Sequence, residues 1–240
     1  MKLRADVLLV ERGLAESRAR AQALILAGSV VAGDHRVEKP GQLLDSAIEL
    51  RVKEQLRYVS RGGLKLEKGL DHFALSPAGR ICVDLGASTG GFTDVLLQRG
   101  ALRVHAVDVG YGQLHPRLRA DPRVVVHERV NARALALPEA CAAAVADLSF
   151  ISLKLVLPAL LAALQPADAW ACLLVKPQFE AGRAEVGKGG VVRDAAVHAR
   201  VVSEISAEMQ RLGLSVLGSV ESPVRGPAGN REYLLAGRRS

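Results

Sequence analysis

Aromatic side chains are scarce in this chain, with four Phe, three Tyr and one Trp making 3% of 240 residues. So few rings argue against a surface that binds nucleic acid by stacking successive bases. Cysteines number three, an odd count with no C-x-x-C pair. Cys82, Cys141 and Cys172 lie in apolar surroundings, which marks them as core thiols rather than ligands or nucleophiles. The six histidines are scattered without metal-ligand spacing, so no protein-held metal site is expected. No apolar run is long enough to span a bilayer, and the longest, Leu155 to Leu164, is interrupted by Pro158. The N-terminus has Lys2 and Arg4 and then Asp6, Glu11 and Arg12 in place of an apolar secretory core. A soluble, cytoplasmic protein with no membrane partner is the expectation. Internal repeats and low-complexity segments are absent as well.

Positive charge is what the chain has in excess. Its formal net charge of +7 suits a polyanionic partner. The excess is spread, +2 over residues 1–60 and +5 over the remainder, so local clusters carry the information. Hydrophobic residues make up 49%, ample for a core, and the length suffices for a small domain followed by a medium one.

Residues 5–12 carry Val7, Leu8 and Leu9 among polar neighbours and stop at Gly13, which predicts a helix with a glycine C-cap. Ser17 is a good N-cap for a second helix through Ala27, ended by Gly28. Its first turn holds Arg18 and Arg20, and cations there oppose the helix dipole. A phosphate bound at that N-terminus would explain both; a solvated charged face is the plainer alternative. Val30-Val31-Ala32, a Gly33-Asp34 turn, Arg36-Val37 and Ile48 to Val52 read as short strands. This order, with Glu-Arg-Gly-Leu-Ala-x-Ser-Arg and Leu-Ala-Gly-x-Val, resembles the S4 RNA-binding domain over roughly residues 3–57. The resemblance implies docking on structured RNA through the second helix and its following loop; Arg4 and the later basic residues Arg57 and Arg61 are candidate further contacts. One departure is Ala32-Gly33-Asp34, where the family usually has Val-Asn-Gly.

A basic segment, Arg57 to Gly63, reads as a linker, and a helix with Leu66, Leu70 and Phe73 on one face follows it. The expected division is 1–57, an interdomain linker at 58–63, and 64–240. From Arg80 the chain alternates strand and helix, the pattern of a doubly wound α/β sheet. Strands are expected near 80–85, 103–108, 123–128, 142–147, 169–176, 214–222 and 232–237. Helices are expected near 91–99, 113–120, 153–164 and 194–212. The last two strands follow only one helix and could form an antiparallel edge hairpin.

The second domain is organised around Ile81 to Phe92, a buried strand whose glycines turn the chain into a helix. Gly86 and Gly90 would let the backbone pass close to a ligand at the carboxyl end of the sheet. The loop does not match G-x-G-x-x-G. Asp84 with Gly-x-x-x-Gly-Gly resembles instead the S-adenosylmethionine loop of class I methyltransferases. That likeness implies cofactor contacts from Asp84, Gly86, Ala87, Ser88, Thr89, Gly90, Gly91 and Phe92. Asp108 ends the second strand, where a carboxylate can accept both hydroxyls of a ribose, a helix-capping Asp being the alternative. Asn131, in the turn after the third strand, could meet an adenine edge.

Asp147 ends the fourth strand and Lys176 the fifth, beside the first strand's loop. A buried lysine needs a carboxylate or a task, and Asp147 can supply the first. Lys65 and Glu232 form a possible second pair. Ser60 to Leu66, Asp84 to Gly91, Asp147 to Ser152, Lys176 to Glu180 and Gly229-Asn230-x-Glu232-Tyr233 together resemble the TlyA family across essentially the whole chain. That family is known as hemolysin-like and as 2′-O-ribose methyltransferases of ribosomal RNA. The implied architecture is α/β: a class I (Rossmann-like) methyltransferase domain of the FtsJ kind, with a mostly parallel seven-stranded sheet, preceded by a small α+β S4 domain.

The family's Lys-Asp-Lys-Glu tetrad falls on Lys65, Asp147, Lys176 and Glu232. A ribose hydroxyl must lose its proton as it attacks the sulfonium methyl of S-adenosylmethionine. Lys176 can be the base only if its pKa falls well below the free value of about 10.4, which dehydration and a second cation, Lys65, would favour. Asp147 would orient the amine and Glu232 would hold Lys65; two structural salt bridges are the plainer alternative. The substrate implied is ribosomal RNA or a ribosomal subunit, with a cytidine as target. Three residues before Arg4 and eight after Glu232 resemble the members acting on the large subunit alone. Competing readings are base N-methylation through Asp147 to Phe150, a membrane-active hemolysin, and a non-catalytic assembly factor. The sequence does not give the oligomeric state.

Overall fold

The computed structural model describes residues 1–26, 28–52 and 57–239. Ala27, the expected end of the second helix, and residues 53–56 of the expected first domain lie outside the described residues. The chain divides into two compact units, Met1–Leu56 and Arg57–Ser240.

In the first unit, β1 (Lys2–Arg4) leads into α1 (Ala5–Glu11) and α2 (Arg18–Leu26). Then come β2 (Val30–Ala32), β3 (His35–Arg36), β4 (Leu43–Asp45) and β5 (Leu50–Val52). Gly13 N–H bonds Val10 O and Leu14 N–H bonds Leu9 O, so the glycine ends α1 at φ +67° as a left-handed cap. Ser17 Oγ accepts the Arg20 N–H (3.2 Å) at the start of α2. Strand β2 pairs with β3 and β5, while β1 pairs with β4 in a separate two-stranded ribbon that the sequence did not suggest. Three residues per strand are too few to display alternation. The core is Leu8, Leu9, Leu24, Ile25, Val30 and Leu50.

The second unit opens with α3 (Gly62–His72), followed by β6 (Ile81–Leu85), α4 (Gly91–Gln98), β7 (Arg103–Asp108) and α5 (Pro116–Arg119). It continues with β8 (Val124–Glu128), β9 (Ala143–Ala146), α6 (Leu157–Ala162) and β10 (Trp170–Val175). The last elements are α7 (Pro177–Glu180), α8 (Ala195–Arg211), β11 (Ser215–Glu221) and β12 (Tyr233–Arg238). The strands form one sheet in the order β11-β12-β10-β9-β6-β7-β8, with β12 antiparallel to both neighbours and β6 to β10 parallel. All seven expected strands are therefore present, with the expected antiparallel edge.

Every residue of β10 is buried because helices cover both faces of the sheet. Val83, Leu85, Leu173 and Val175 pack with Leu157, Leu160 and Ile205 on one face. Cys82, Val145, Cys172 and Leu174 pack with Leu66, Leu70 and Leu96 on the other, following the period of two. Each buried Leu contributes roughly 1.5–3 kcal/mol of transfer free energy.

Three expectations change. The segment 58–63 is not a free linker: Tyr58 is 3% exposed, its hydroxyl donates to Glu67 (2.8 Å), and the Val59 N–H donates to Asp94 (2.8 Å). Its two apolar side chains gain more by packing in the second unit than by spanning solvent. The expected helix at 153–164 is a 3₁₀ turn, Leu153–Leu155, and then α6, because Pro158 has no N–H with which to continue the earlier turn. The expected helix at 113–120 shrinks to α5, which starts at Pro116 with His115 as its cap. Among the described residues no helix is long and apolar enough to cross a membrane.

Candidate active site

The carboxyl ends of β6, β9 and β10 open into a cavity of about 330 Å³. The β6–α4 loop forms one wall. Gly86 has φ +79°, and a Cβ on it would stand 2.5 Å from the Asp147 carbonyl oxygen. Gly90 has φ +97°, and its Cβ would strike Leu118 and Leu114. Both glycines make room for the chain's own atoms, and Gly86 also lines the cavity, whereas Gly90 sits behind it against Leu114 and Leu118. Gly86, Ala87, Ser88, Thr89, Gly91 and Phe92 line the cavity. Asp84 does not: it is fully buried beneath the loop, accepts the Thr93 hydroxyl (2.7 Å), and leaves Oδ1 without a donor. Burial pushes its carboxyl up to about 7, against the bond from Thr93 and with a smaller push from Asp147.

Asp108 braces the loop. Its carboxylate accepts the N–H of Ser88 (2.8 Å), a residue held at φ +48°, and the N–H of Gly110 (2.7 Å). Each oxygen has acceptor capacity to spare, and Asp108 lines a small side cavity with Gln113 and Glu128. Asn131 lies elsewhere, exposed and capping a 3₁₀ turn by accepting the Arg133 N–H (3.0 Å). It lines neither of these two cavities.

Lys65 from α3 and Glu232 before β12 meet at 2.5 Å, with Glu232 only 1% exposed. Gly226 leaves room for Glu232 Oε1, which lies 2.6 Å from where its Cβ would stand. Lys176 Nζ lies 2.6 Å from Asp147 Oδ1. This contact is an ion pair off the hydrogen-bond line, so Asp147 Oδ1 has no aligned donor; the aligned bond from Lys176 runs to Ser149 Oγ at 2.9 Å. Lys65 and Lys176 are each 8% exposed, and all four side chains line the same cavity. Burying a charge is costly unless it is paired, and each of the two cations on this cavity has its own carboxylate.

Arg61 and Arg225 complete the rim. Arg57 instead pairs with Glu67 and stacks over Tyr58. In the first unit Arg4 and Arg18 both bond the buried Asp6 (3.0 Å each), which holds that carboxyl well below the usual range. They are half exposed and structural in part, whereas Arg20 offers its side chain to solvent. The sequence reading missed Ser149 and Arg225. Alternation along the strand end places Ser149 on the side of Asp147, a signal that was available. It missed also a groove outside the cavity, where Phe150, 91% exposed at φ +64°, stands 5.1 Å from the Phe179 ring.

Residues 58–239 match the family model described as FtsJ-like methyltransferase, and residues 3–47 match the S4 domain. A Mycobacterium tuberculosis protein named 16S/23S rRNA (cytidine-2′-O)-methyltransferase TlyA is 50% identical, over 98% of this chain and 89% of its own. The chain belongs to the TlyA family of FtsJ-like methyltransferases. Hemolysin A of Brachyspira hyodysenteriae is 39% identical over 97% of this chain and 98% of its own. A Streptococcus thermophilus structure solved under a hemolysin name superposes with a TM-score of 0.76 at 46% identity, covering 100% of this chain and 89% of that one. TlyA methyltransferases use S-adenosylmethionine. The residues here fit it: Asp108 keeps acceptors for ribose hydroxyls, and the loop from Ala87 to Gly91 opens on the lysine cavity.

Proposed function

We propose that the chain methylates the 2′ hydroxyl of a cytidine in ribosomal RNA, with Lys176 as the base. The observation that supports this reading most directly is the pair of buried lysine–carboxylate contacts on one cavity, Lys176 with Asp147 and Lys65 with Glu232. S-adenosylmethionine, held by the β6–α4 loop and Asp108, would supply an electrophilic methyl group. Lys176 takes the proton that the ribose oxygen loses, and for that the amine must first be neutral. Asp147 fixes the position of Nζ. Lys65, held by Glu232, lines the same cavity.

The first unit brings the enzyme to its RNA, with Arg20 and the exposed parts of Arg4 and Arg18 on phosphates. At the cavity mouth Arg61 and Arg225 meet phosphates flanking the target. A ribosomal substrate puts the protein in the cytoplasm. The close Mycobacterium relative acts on both subunits by its name. Offering each purified subunit in turn decides which one this enzyme uses.

Single-turnover assays test the base. Lys176→Ala should abolish methyl transfer while leaving cofactor and RNA affinity nearly intact. Lys176→Arg should fail too, since a guanidinium stays protonated at any usable pH. A near-normal rate in Lys176→Ala would end the proposal. Base N-methylation remains the second reading because Phe150 stands exposed beside Phe179. It requires tolerance of the lysine substitutions and loss of activity in Phe150→Ala.

A further inference from the structure

We propose that Ser149 is a positioning residue for the reaction: its hydroxyl aims the lone pair of Lys176. The inference rests on Lys176 being the base. A neutral amine has two N–H bonds and one lone pair in tetrahedral array, so two acceptors fix where the third direction points. Around Lys176 Nζ the acceptors are Asp147 Oδ1 at 2.6 Å and Ser149 Oγ at 2.9 Å. Only the serine contact has hydrogen-bond alignment, because Asp147 Oδ1 receives no aligned donor. Ser149 claims one hydrogen in an aligned bond and Asp147 stands beside the amine as an ion-pair partner, so the lone pair takes the direction neither occupies, on the cavity that all three residues line.

The backbone supports this use of Ser149. Phe150 takes a left-handed conformation (φ +64°), which non-glycine residues avoid. Its ring stands outside beside Phe179, while Ser149 lines the cavity.

In the reaction the O–H bond of the ribose breaks, its proton forms a new N–H bond on Lys176, and the oxygen bonds the transferred methyl carbon. The pair of electrons of the broken sulfur–carbon bond stays with sulfur. The resulting ammonium donates to Ser149 and Asp147. Accepting that hydrogen bond favours the charged form, so removal of the serine oxygen makes Lys176 easier to deprotonate while leaving its lone pair unaimed.

The test is the pH dependence of single-turnover methyl transfer in Ser149→Ala and Ser149→Thr. Charged groups that face Lys176 or line its cavity are Asp147, Lys65, Glu232, Arg61 and Arg225, with Asp84 buried within β6; none is altered by either change. Ser149→Ala should lower the high-pH plateau roughly ten- to hundred-fold, move the inflection to lower pH, and leave RNA affinity unchanged. Ser149→Thr keeps the hydroxyl and should restore both plateau and inflection. An unchanged plateau, or a lower one with an unmoved inflection, would overturn the proposal, as would failure of threonine to rescue. Lys176→Ala run alongside separates the two levels: if it stays active, the base assignment has failed; if it is dead while Ser149→Ala is normal, only the serine's role has.

Discussion

Asp84 offers the most quantitative test of the folded unit. A carboxyl with a folded pKa of about 7 and an unfolded value of about 3.9 binds a proton on folding between those limits. Stability is then full at low pH and is lost as pH rises toward about 7. The loss is about 1.5 kcal/mol at pH 5 and about 4 kcal/mol at pH 8.5, a swing of about 2.5 kcal/mol. Asp84→Asn removes the titration and keeps an acceptor for the Thr93 hydroxyl. Its new amide hydrogens face the position where Oδ1 has no donor, costing roughly 1–3 kcal/mol at every pH. The variant should therefore gain about 2.5 kcal/mol on the wild type between pH 5 and 8.5, whatever the offset. Urea unfolding followed by fluorescence of Trp170 reads this out, since the chain's single tryptophan is buried in β10 of the same sheet. Other groups titrate equally in both proteins and cancel in the difference. A difference independent of pH would refute the assignment of a raised Asp84.

Gly90→Val should lower the melting temperature, because it adds a left-handed penalty of about 1–2 kcal/mol to a clash with Leu114 and Leu118. A normal melting temperature with selective loss of cofactor affinity would return that glycine to the ligand. Arg20→Ala should reduce the salt slope of RNA binding by about one without loss of stability. Arg18→Ala should also destabilise the first unit in thermal melts, since it strips a partner from buried Asp6. Lys65→Met should cost roughly 3–5 kcal/mol by leaving Glu232 buried and unpaired, and Lys65→Met with Glu232→Leu should recover much of it in urea unfolding.

The sheet was legible because strands covered on both faces are continuous apolar runs, such as Trp170 to Val175, set between glycine turns. The pairing of Asp147 with Lys176 was also readable, since each ends one of two strands expected to be neighbours. Other features depend on what folds against them. Nothing local says that Gly86 faces the Asp147 carbonyl or that Gly90 faces Leu118. The anchoring of Val59 to Asp94 spans 35 residues, and so the basic segment read as a linker. Arg18 looked free at a helix start because its partner, Asp6, sits 12 residues away on another helix. Ser149 carries no charge to mark it, and its hydroxyl's part is set by where Lys176 Nζ comes to rest.

The central claim is a transfer to ribose through a lysine base, and the product tests it most directly. Purified ribosomal subunits lacking the modification would be incubated with methyl-labelled S-adenosylmethionine, digested to nucleosides and resolved by chromatography with mass detection. The account predicts label in 2′-O-methylcytidine, dependent on Lys176. Label in a base-methylated nucleoside, or 2′-O-methylcytidine formed equally well by Lys176→Ala, would contradict it.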